Sequence, residues 1–194
     1  MFEDKRLLKR LRVGDKEALR HIYEKYIDDL LRVALSLLSD IQSAEDCLHD
    51  VFVEFAGANV IVMILHNLKS YLVSCVANKA RDQLRKDSRL SKNQSGKVCS
   101  PQISNNPVNQ LIEAEESAQI FEALKKLPYQ QREVFVLHIQ GQMKFKEISS
   151  ILGVSINSIQ SRYRYGIKKL RSILSGDKQH ELEKDKTNSC KLTD

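Results

Sequence analysis

Tryptophan is absent from the 194 residues, and the chain contains only 3 prolines and 7 glycines. Because residues that break helices are scarce and no stretch alternates between polar and apolar residues, the sequence predicts helices throughout. The longest apolar run, Val60 to Leu65, is too short to cross a bilayer. The N-terminal sequence MFEDKRLLKRLR also lacks the apolar core of a signal peptide. We therefore predict a cytoplasmic, all-α protein.

The four cysteines, Cys47, Cys75, Cys99 and Cys190, are widely separated. They form neither a CxxC motif nor the Cys/His spacing of a zinc site, so the sequence predicts no disulfide framework. The five histidines are equally isolated. We predict ordinary reduced thiols, no bound metal and no cofactor.

The strongest motif extends from Lys144 to Leu170, KFKEISSILGVSINSIQSRYRYGIKKL. Two short helices are predicted there, with Gly153 at the turn and Ser155 as the N-cap of the second helix. The apolar face of that helix comprises Ile156, Ile159, Tyr163, Ile167 and Leu170. Its charges are all basic, which favours a DNA-binding helix-turn-helix over an ordinary helical hairpin. The formal net charge of +6 suits an anionic partner.

An acidic helix is predicted from Ala44 to about Ala56, after a turn at Ser39-Asp40 and with Ser43 opening a capping box. Its charged residues have one sign: Glu45, Asp46, Asp50 and Glu54. Acidic residues in a first turn complement the helix dipole, which explains two of them without invoking a partner. The other two lie further along the helix, and a basic protein partner is the alternative interpretation.

A second basic helix is predicted from Leu68 to about Arg89, with Asn67 as its cap. Its terminal cations either complement the helix dipole or form a second nucleic-acid surface, and we favour the latter. The preceding segment, 57–67, is apolar without a clear period. It fits a packed loop, a short helix or a small hydrophobic surface.

The chain divides at a polar stretch rich in Ser, Asn, Gln and Pro. We predict a helical domain over residues 1–92, a flexible linker over 93–108, a helix-turn-helix domain over 109–176 and a disordered tail over 177–194. Each domain is expected to fold separately.

Two sets of residues resemble regions of the bacterial sigma-70 factors of RNA polymerase. GDKEALRHIYEKY, AEDCLHDVFVEF and LKSYLVSCVANKARDQLRK are similar to region 2, and ALKKLPYQQREVFVLH with the helix-turn-helix is similar to region 4. The arrangement resembles the small extracytoplasmic-function group. The resemblance implies a sigma factor that is not an enzyme, binds core RNA polymerase and promoter DNA, and has an anti-sigma factor as a possible partner.

The resemblance also assigns residues to three surfaces. Contact with core polymerase is implied for Asp46, His49, Asp50 and Phe52. Contact with the start-proximal (minus-10) promoter element is implied for Asn78, Lys79, Asp82, Arg85 and Lys86. Contact with the upstream (minus-35) element is implied for Ser158, Gln160, Ser161, Arg162, Arg164, Tyr165 and Lys168. Gln160 and Arg164 are expected to read bases, and Arg162 and Lys168 to hold phosphates.

Two other functions compete with this interpretation. A stand-alone helix-turn-helix regulator would need a dimerisation or ligand-binding domain, whereas the N-terminal half offers an acidic and a basic helix. An all-helical metal-dependent phosphohydrolase would need clustered His and Asp ligands, and the five histidines are isolated from one another in the sequence.

Overall fold

The protein is all-helical in the computed structural model, which describes residues 2–57, 67–93 and 115–175. The described residues form eight helices: α1 (Phe2–Arg12), α2 (Lys16–Leu38), α3 (Ile41–Gly57), α4 (Leu68–Asn93), α5 (Glu115–Lys125), α6 (Tyr129–Ile139), α7 (Phe145–Leu152) and α8 (Ile156–Leu174). The predicted fold class is confirmed. The interpretations of segment 58–66, of the linker and of the tail lie outside the described residues.

Helix α2 is the longest core element of the N-terminal half. Asp15 caps it by accepting hydrogen bonds from the backbone N–H groups of Glu17 and Ala18. Its apolar face is buried under α1, α3 and α4. Tyr26 is buried, whereas Tyr23 is 45% exposed and contacts the edge of Phe52. Of these two tyrosines, only Tyr26 is a core residue.

Helix α3 begins three residues earlier than the sequence predicts. Asp40, not Ser43, provides the cap: its carboxylate accepts a hydrogen bond from the backbone N–H of Ser43 at 2.8 Å. Ser39 adopts a left-handed backbone, φ 63°, and closes α2, so Asp40 is free to start the next helix at once. As a result Glu45 and Asp46 lie in the second turn, where the helix dipole no longer explains them.

Helix α4 packs on α2 and α3. Asn67 caps it through a hydrogen bond from the backbone N–H of Ser70, as predicted, but the helix continues to Asn93 rather than ending near Arg89. Its buried face is Leu68, Leu72, Val73, Val76, Ala77 and Ala80.

Helix α6 connects the two halves of the molecule. In its second half Val134, Val136 and Leu137 lie on different sides of the helix and are all fully buried, so this part of the helix has to be enclosed. It packs on α7 and α8 of its own half, and also on α2 and α4 of the other half. Gly141, just beyond α6, is needed for this approach because an added Cβ would lie 2.8 Å from Val73 Cγ1 and 2.6 Å from the Leu137 carbonyl oxygen. The two halves therefore share one hydrophobic core.

Candidate nucleic-acid and protein interfaces

The turn between α7 and α8 has the geometry of a helix-turn-helix. Gly153 has a left-handed backbone, φ 63°, and its N–H donates to the carbonyl of Ser149. The hydroxyl of Ser149 in turn donates to the carbonyl of Val154 at 2.6 Å. Ser155 caps α8 by accepting from the N–H of Ser158 at 3.2 Å. The predicted turn glycine and N-cap are both confirmed.

The buried face of α8 holds the helix against α5, α6 and α7. Ile159 and Leu170 are buried, and Tyr163 stacks on Phe135 with ring centroids 6.3 Å apart. Ile156 does not belong to this face as predicted, because it is the first residue of the helix and remains 41% exposed. Because α8 packs through this face, the opposite face of the helix is exposed to solvent and available to a ligand.

The residues assigned to the minus-35 element fall into two groups. Ser158, Gln160, Arg164, Tyr165 and Lys168 are exposed on α8, as base or phosphate contacts must be. The Arg164 guanidinium lies 5.9 Å from the centre of the Tyr165 ring, so these neighbours form one surface. Ser161 and Arg162 are half-buried, and Arg162 lines a cleft between α4, α6 and α8. In this arrangement Arg162 is less available to a duplex than its neighbours.

The residues assigned to the minus-10 element lie on the outer side of α4. Asn78, Asp82, Arg85 and Lys86 are exposed, and Asp82 lies 3.6 Å from Arg85. Lys79 differs, because its ammonium group is 2.9 Å from the carboxylates of both Asp50 and Glu54 on α3. Hydrogen bonds to these carboxylates raise the pKa of Lys79, and the same contact lowers the pKa of Asp50. Lys79 therefore joins α3 to α4 in this structure.

A groove of about 590 Å³ brings two of the predicted surfaces together. The acidic residues Asp46, Asp50 and Glu54 form its α3 side, and Asn78, Lys79, Asp82, Arg85 and Lys86 form its α4 side. The resemblance assigned these sets to different partners without predicting that they meet. One groove therefore holds residues assigned to both partners.

The residues assigned to core polymerase do not form one patch. Asp46 and Asp50 border the α3–α4 groove, whereas His49 and Phe52 border a largely apolar groove of about 520 Å³ between α2 and α3. Phe52 is only 8% exposed, and its ring centroid lies 4.8 Å from that of Tyr23. Phe52 is thus mainly a packing residue, and the exposed residues beside it on α3 include His49 and the apolar Val53, which is 57% exposed.

A polar cluster that was not predicted from the sequence lies where the two halves meet. Arg81 on α4 donates to Glu133 on α6 from both Nε, at 3.0 Å, and Nη2, at 2.8 Å. Arg132, next along α6, donates to the carbonyl of Leu37 at the end of α2. The sequence feature that could have predicted this cluster is the Arg-Glu pair at the start of REVFVLH, directly before the apolar residues VFVL. Charged side chains next to buried apolar residues need partners of opposite charge or hydrogen-bonding groups from elsewhere in the fold.

Comparisons with known proteins identify both halves of the chain. The description "Sigma-70 region 2" matches residues 22–90, and "Sigma-70, region 4" matches residues 117–170. The match to the ECF RNA polymerase sigma factor SigW of Bacillus subtilis is 24% identical over 180 residues, 88% of this chain and 96% of that protein. The chain belongs to the extracytoplasmic-function group of the sigma-70 family.

Solved structures show the same fold in relatives of this sigma factor. The sigma factor RpoE of Bartonella quintana, solved with the anti-sigma factor NepR, has a TM-score of 0.65 and 23% identity, covering 82% of this chain and 98% of its own. CnrH, solved with the cytosolic domain of CnrY, has a TM-score of 0.62 and 22% identity over 90% of this chain and 99% of its own. Among the described helices of this sigma factor, none is long and apolar enough to span a membrane.

Proposed function

We propose that this sigma factor binds core RNA polymerase through the exposed face of α3 and promoter DNA through α4 and α8. The observation that carries the proposal is the geometry of α8, a helix held rigidly by Ile159 and Leu170 behind a glycine turn. From Gly153 to its end at Leu174 this element carries basic charges and no acidic residue. Such a helix suits the major groove of a duplex, whose phosphates are neutralised by cations.

The acidic face of α3 is the proposed site for core polymerase. Asp46 and Asp50 are exposed beyond the first turn, where the helix dipole does not account for them. A basic partner surface would be attracted to them and would dock faster at low salt. The protein acts by binding and directs the enzyme in the cytoplasm without catalysing a reaction of its own.

An anti-sigma factor is a further proposed partner. RpoE, which shares this fold, was solved with the anti-sigma factor NepR, and CnrH was solved with the cytosolic domain of another protein, CnrY. A pull-down of the tagged sigma factor from cells, followed by mass spectrometry, should recover a single small protein at near-equal amount. Recovery of polymerase subunits alone would contradict this assignment.

Reconstitution with purified core polymerase tests the main proposal. The wild-type protein should co-elute with core and support run-off transcription from a genomic promoter library. Asp46→Lys is the sharper interface variant, because Asp46 has no ion pair among the described residues, whereas Asp50 is bound to Lys79. We expect Asp46→Lys to weaken core affinity by about tenfold or more at moderate salt, since a reversed charge repels a basic partner.

Asp28→Lys is the matched control. It makes the same charge change at an exposed position on α2 that the proposal does not use. Equal loss of core binding in both variants would indicate a general charge effect, and unchanged affinity in Asp46→Lys would place the interface elsewhere.

A further inference from the structure

The cleft between α4, α6 and α8 contains an excess of cations. Its volume is about 730 Å³, and four arginines line it: Arg81 and Arg85 from α4, Arg132 from α6 and Arg162 from α8. Glu133 is the one carboxylate among the described residues of the lining. Four guanidinium groups and one carboxylate give the lining a formal charge of +3. An excess of positive charge inside a cleft attracts an anionic ligand.

Of the four arginines, Arg81 is the one that the carboxylate neutralises. It donates to Glu133 from Nε at 3.0 Å and from Nη2 at 2.8 Å, and Glu133 is 4% exposed. Arg85 has one ion pair in the described part of the chain, with Asp82, and its separation of 3.6 Å is too long for a hydrogen bond. Arg162 pairs with no carboxylate among the residues that the structure describes. Guanidinium groups on α4 and α8 are therefore available to an anion in the cleft.

Arg132 has a buried donor that the rest of the described chain does not satisfy. Its two Nη atoms donate to the Ser39 hydroxyl at 3.2 Å and to the Leu37 carbonyl at 3.0 Å, which are both neutral acceptors. Its Nε is buried and has no hydrogen-bond partner among the described residues. Burial also lowers the pKa of Arg132 from its ordinary value, because the charged form is desolvated. A negatively charged acceptor beside Arg132 would offset both costs.

Part of the cleft wall is apolar. Leu84 of α4, Leu152 of α7 and Tyr129 of α6 line it, and all three residues are half-buried. A volume of about 730 Å³ lies within the range of small-molecule sites, roughly 300–1,000 Å³. It corresponds to a cube with an edge of about 9 Å, whereas the major groove alone is roughly 12 Å wide, so a duplex does not fit. Cations beside an apolar wall suit a small ligand that combines phosphate groups with a planar ring.

We propose that this cleft binds a nucleotide that carries two or more phosphate groups. Arg132 and Arg162 hold its phosphates from α6 and α8, since a guanidinium fork matches phosphate oxygens through two parallel hydrogen bonds. Arg85 supplies a third, more exposed cation from α4, and the base lies against the apolar wall that includes Leu84 and Leu152. The resemblance assigns Arg162 to duplex phosphate, but a half-buried side chain is better placed for a ligand inside the cleft.

Isothermal titration calorimetry of the full chain tests the site with ATP, GTP, inorganic pyrophosphate and adenosine in magnesium-free buffer. Both nucleotides should bind at one site per chain, because an apolar wall does not select between bases. Pyrophosphate should bind more weakly because it lacks the ring, and adenosine should show no measurable binding because it lacks the charge. A ligand that binds only the folded protein should also raise the melting temperature as its concentration increases. The titrations contain neither polymerase nor promoter DNA, so their outcome is independent of the proposed function.

Arg162→Gln is the main variant, because the substitution removes a cation from the cleft without breaking an ion pair within the described chain. The affinity for ATP should fall by about tenfold or more, since charge-assisted hydrogen bonds to phosphate are lost. Arg171→Gln is the matched control: it makes the same change at an exposed position of α8 that does not line the cleft. Arg85→Gln tests the site from α4 and should weaken ATP binding by a smaller factor, because its side chain is 65% exposed.

Loss of ATP affinity in Arg162→Gln but not in Arg171→Gln supports the site. Equal loss in both variants overturns it, as does a wild-type protein that binds neither nucleotide at millimolar concentration. Pyrophosphate that binds as tightly as ATP overturns the assignment to a nucleotide. A single-stranded oligonucleotide that binds more tightly than ATP, and loses this affinity in Arg162→Gln, would assign the cleft to promoter DNA instead. If circular dichroism shows that Arg162→Gln has lost helicity, the comparison of Arg85→Gln with Arg171→Gln decides.

Discussion

Lys79 on α4 has two possible roles, a contact with promoter DNA and an ion pair with α3, and a substitution can distinguish them. The resemblance assigns it to promoter DNA, whereas its ammonium group is 2.9 Å from both Asp50 and Glu54. Lys79→Met removes the charge and preserves most of the aliphatic stem. The side chain of Lys79 is 30% exposed, and those of its partners are 54% and 69% exposed. Pairs this accessible are screened, so each contributes about 0.2–1 kcal/mol.

The two pairs together predict a loss of about 0.5–2 kcal/mol in the free energy of unfolding. At about 2–4 °C per kcal/mol for a chain of this size, the melting temperature should fall by roughly 1–8 °C. Thermal denaturation followed by circular dichroism measures this change. The control is Lys86→Met, which removes the same charge from an exposed position on the same helix. The difference between the variants should shrink in 1 M salt.

Acid provides a second check on the same contact. Lys79 lowers the pKa of Asp50 below its ordinary value of 3.8. A carboxylate with a depressed pKa in the folded state stabilises the protein above its unfolded pKa, and the stabilisation is lost as the pH falls through the folded value. The difference in stability between Lys79→Met and wild type should therefore be largest at pH 7 and should disappear as the pH falls below about 4. If Lys79→Met melts like wild type at pH 7 yet flattens the salt dependence of promoter binding, Lys79 holds phosphate and the reasoning is refuted.

Two further predictions concern α8 and the buried thiols. In the holoenzyme, Arg164→Ala should relax base preference at one or two minus-35 positions, costing about 1–3 kcal/mol. Lys168→Ala should instead weaken binding to all duplexes alike and reduce its salt dependence, and the reverse pattern would mean that α8 is rotated in the groove. Burial raises the pKa of Cys47 to about 11, so this thiol should resist iodoacetamide at pH 8 in the native protein. Mass spectrometry would show rapid native alkylation if the thiol were accessible.

Local sequence signals predicted the helices and their ends well, because caps and turns depend on neighbouring residues. Asn67, Gly153 and Ser155 act as expected, since each satisfies backbone groups within a few positions of itself. The predicted start of α3 was wrong because two polar residues, Asp40 and Ser43, can each cap it. Asp40 is the cap in the structure because Ser39 ends α2 with a left-handed backbone.

The sequence by itself determined the helical class, the helix-turn-helix and the one-signed faces of α3 and α8, because periodicity and local charge are properties of consecutive residues. Only the tertiary structure decided that Lys79 pairs with the acidic face of α3, that Phe52 packs against Tyr23, and that α6 is enclosed by both halves. These are contacts between residues about 25 or more positions apart. Spacing along a chain carries no information on which distant surfaces meet, so the contact between Arg81 and Glu133 became visible only when α4 and α6 were placed together.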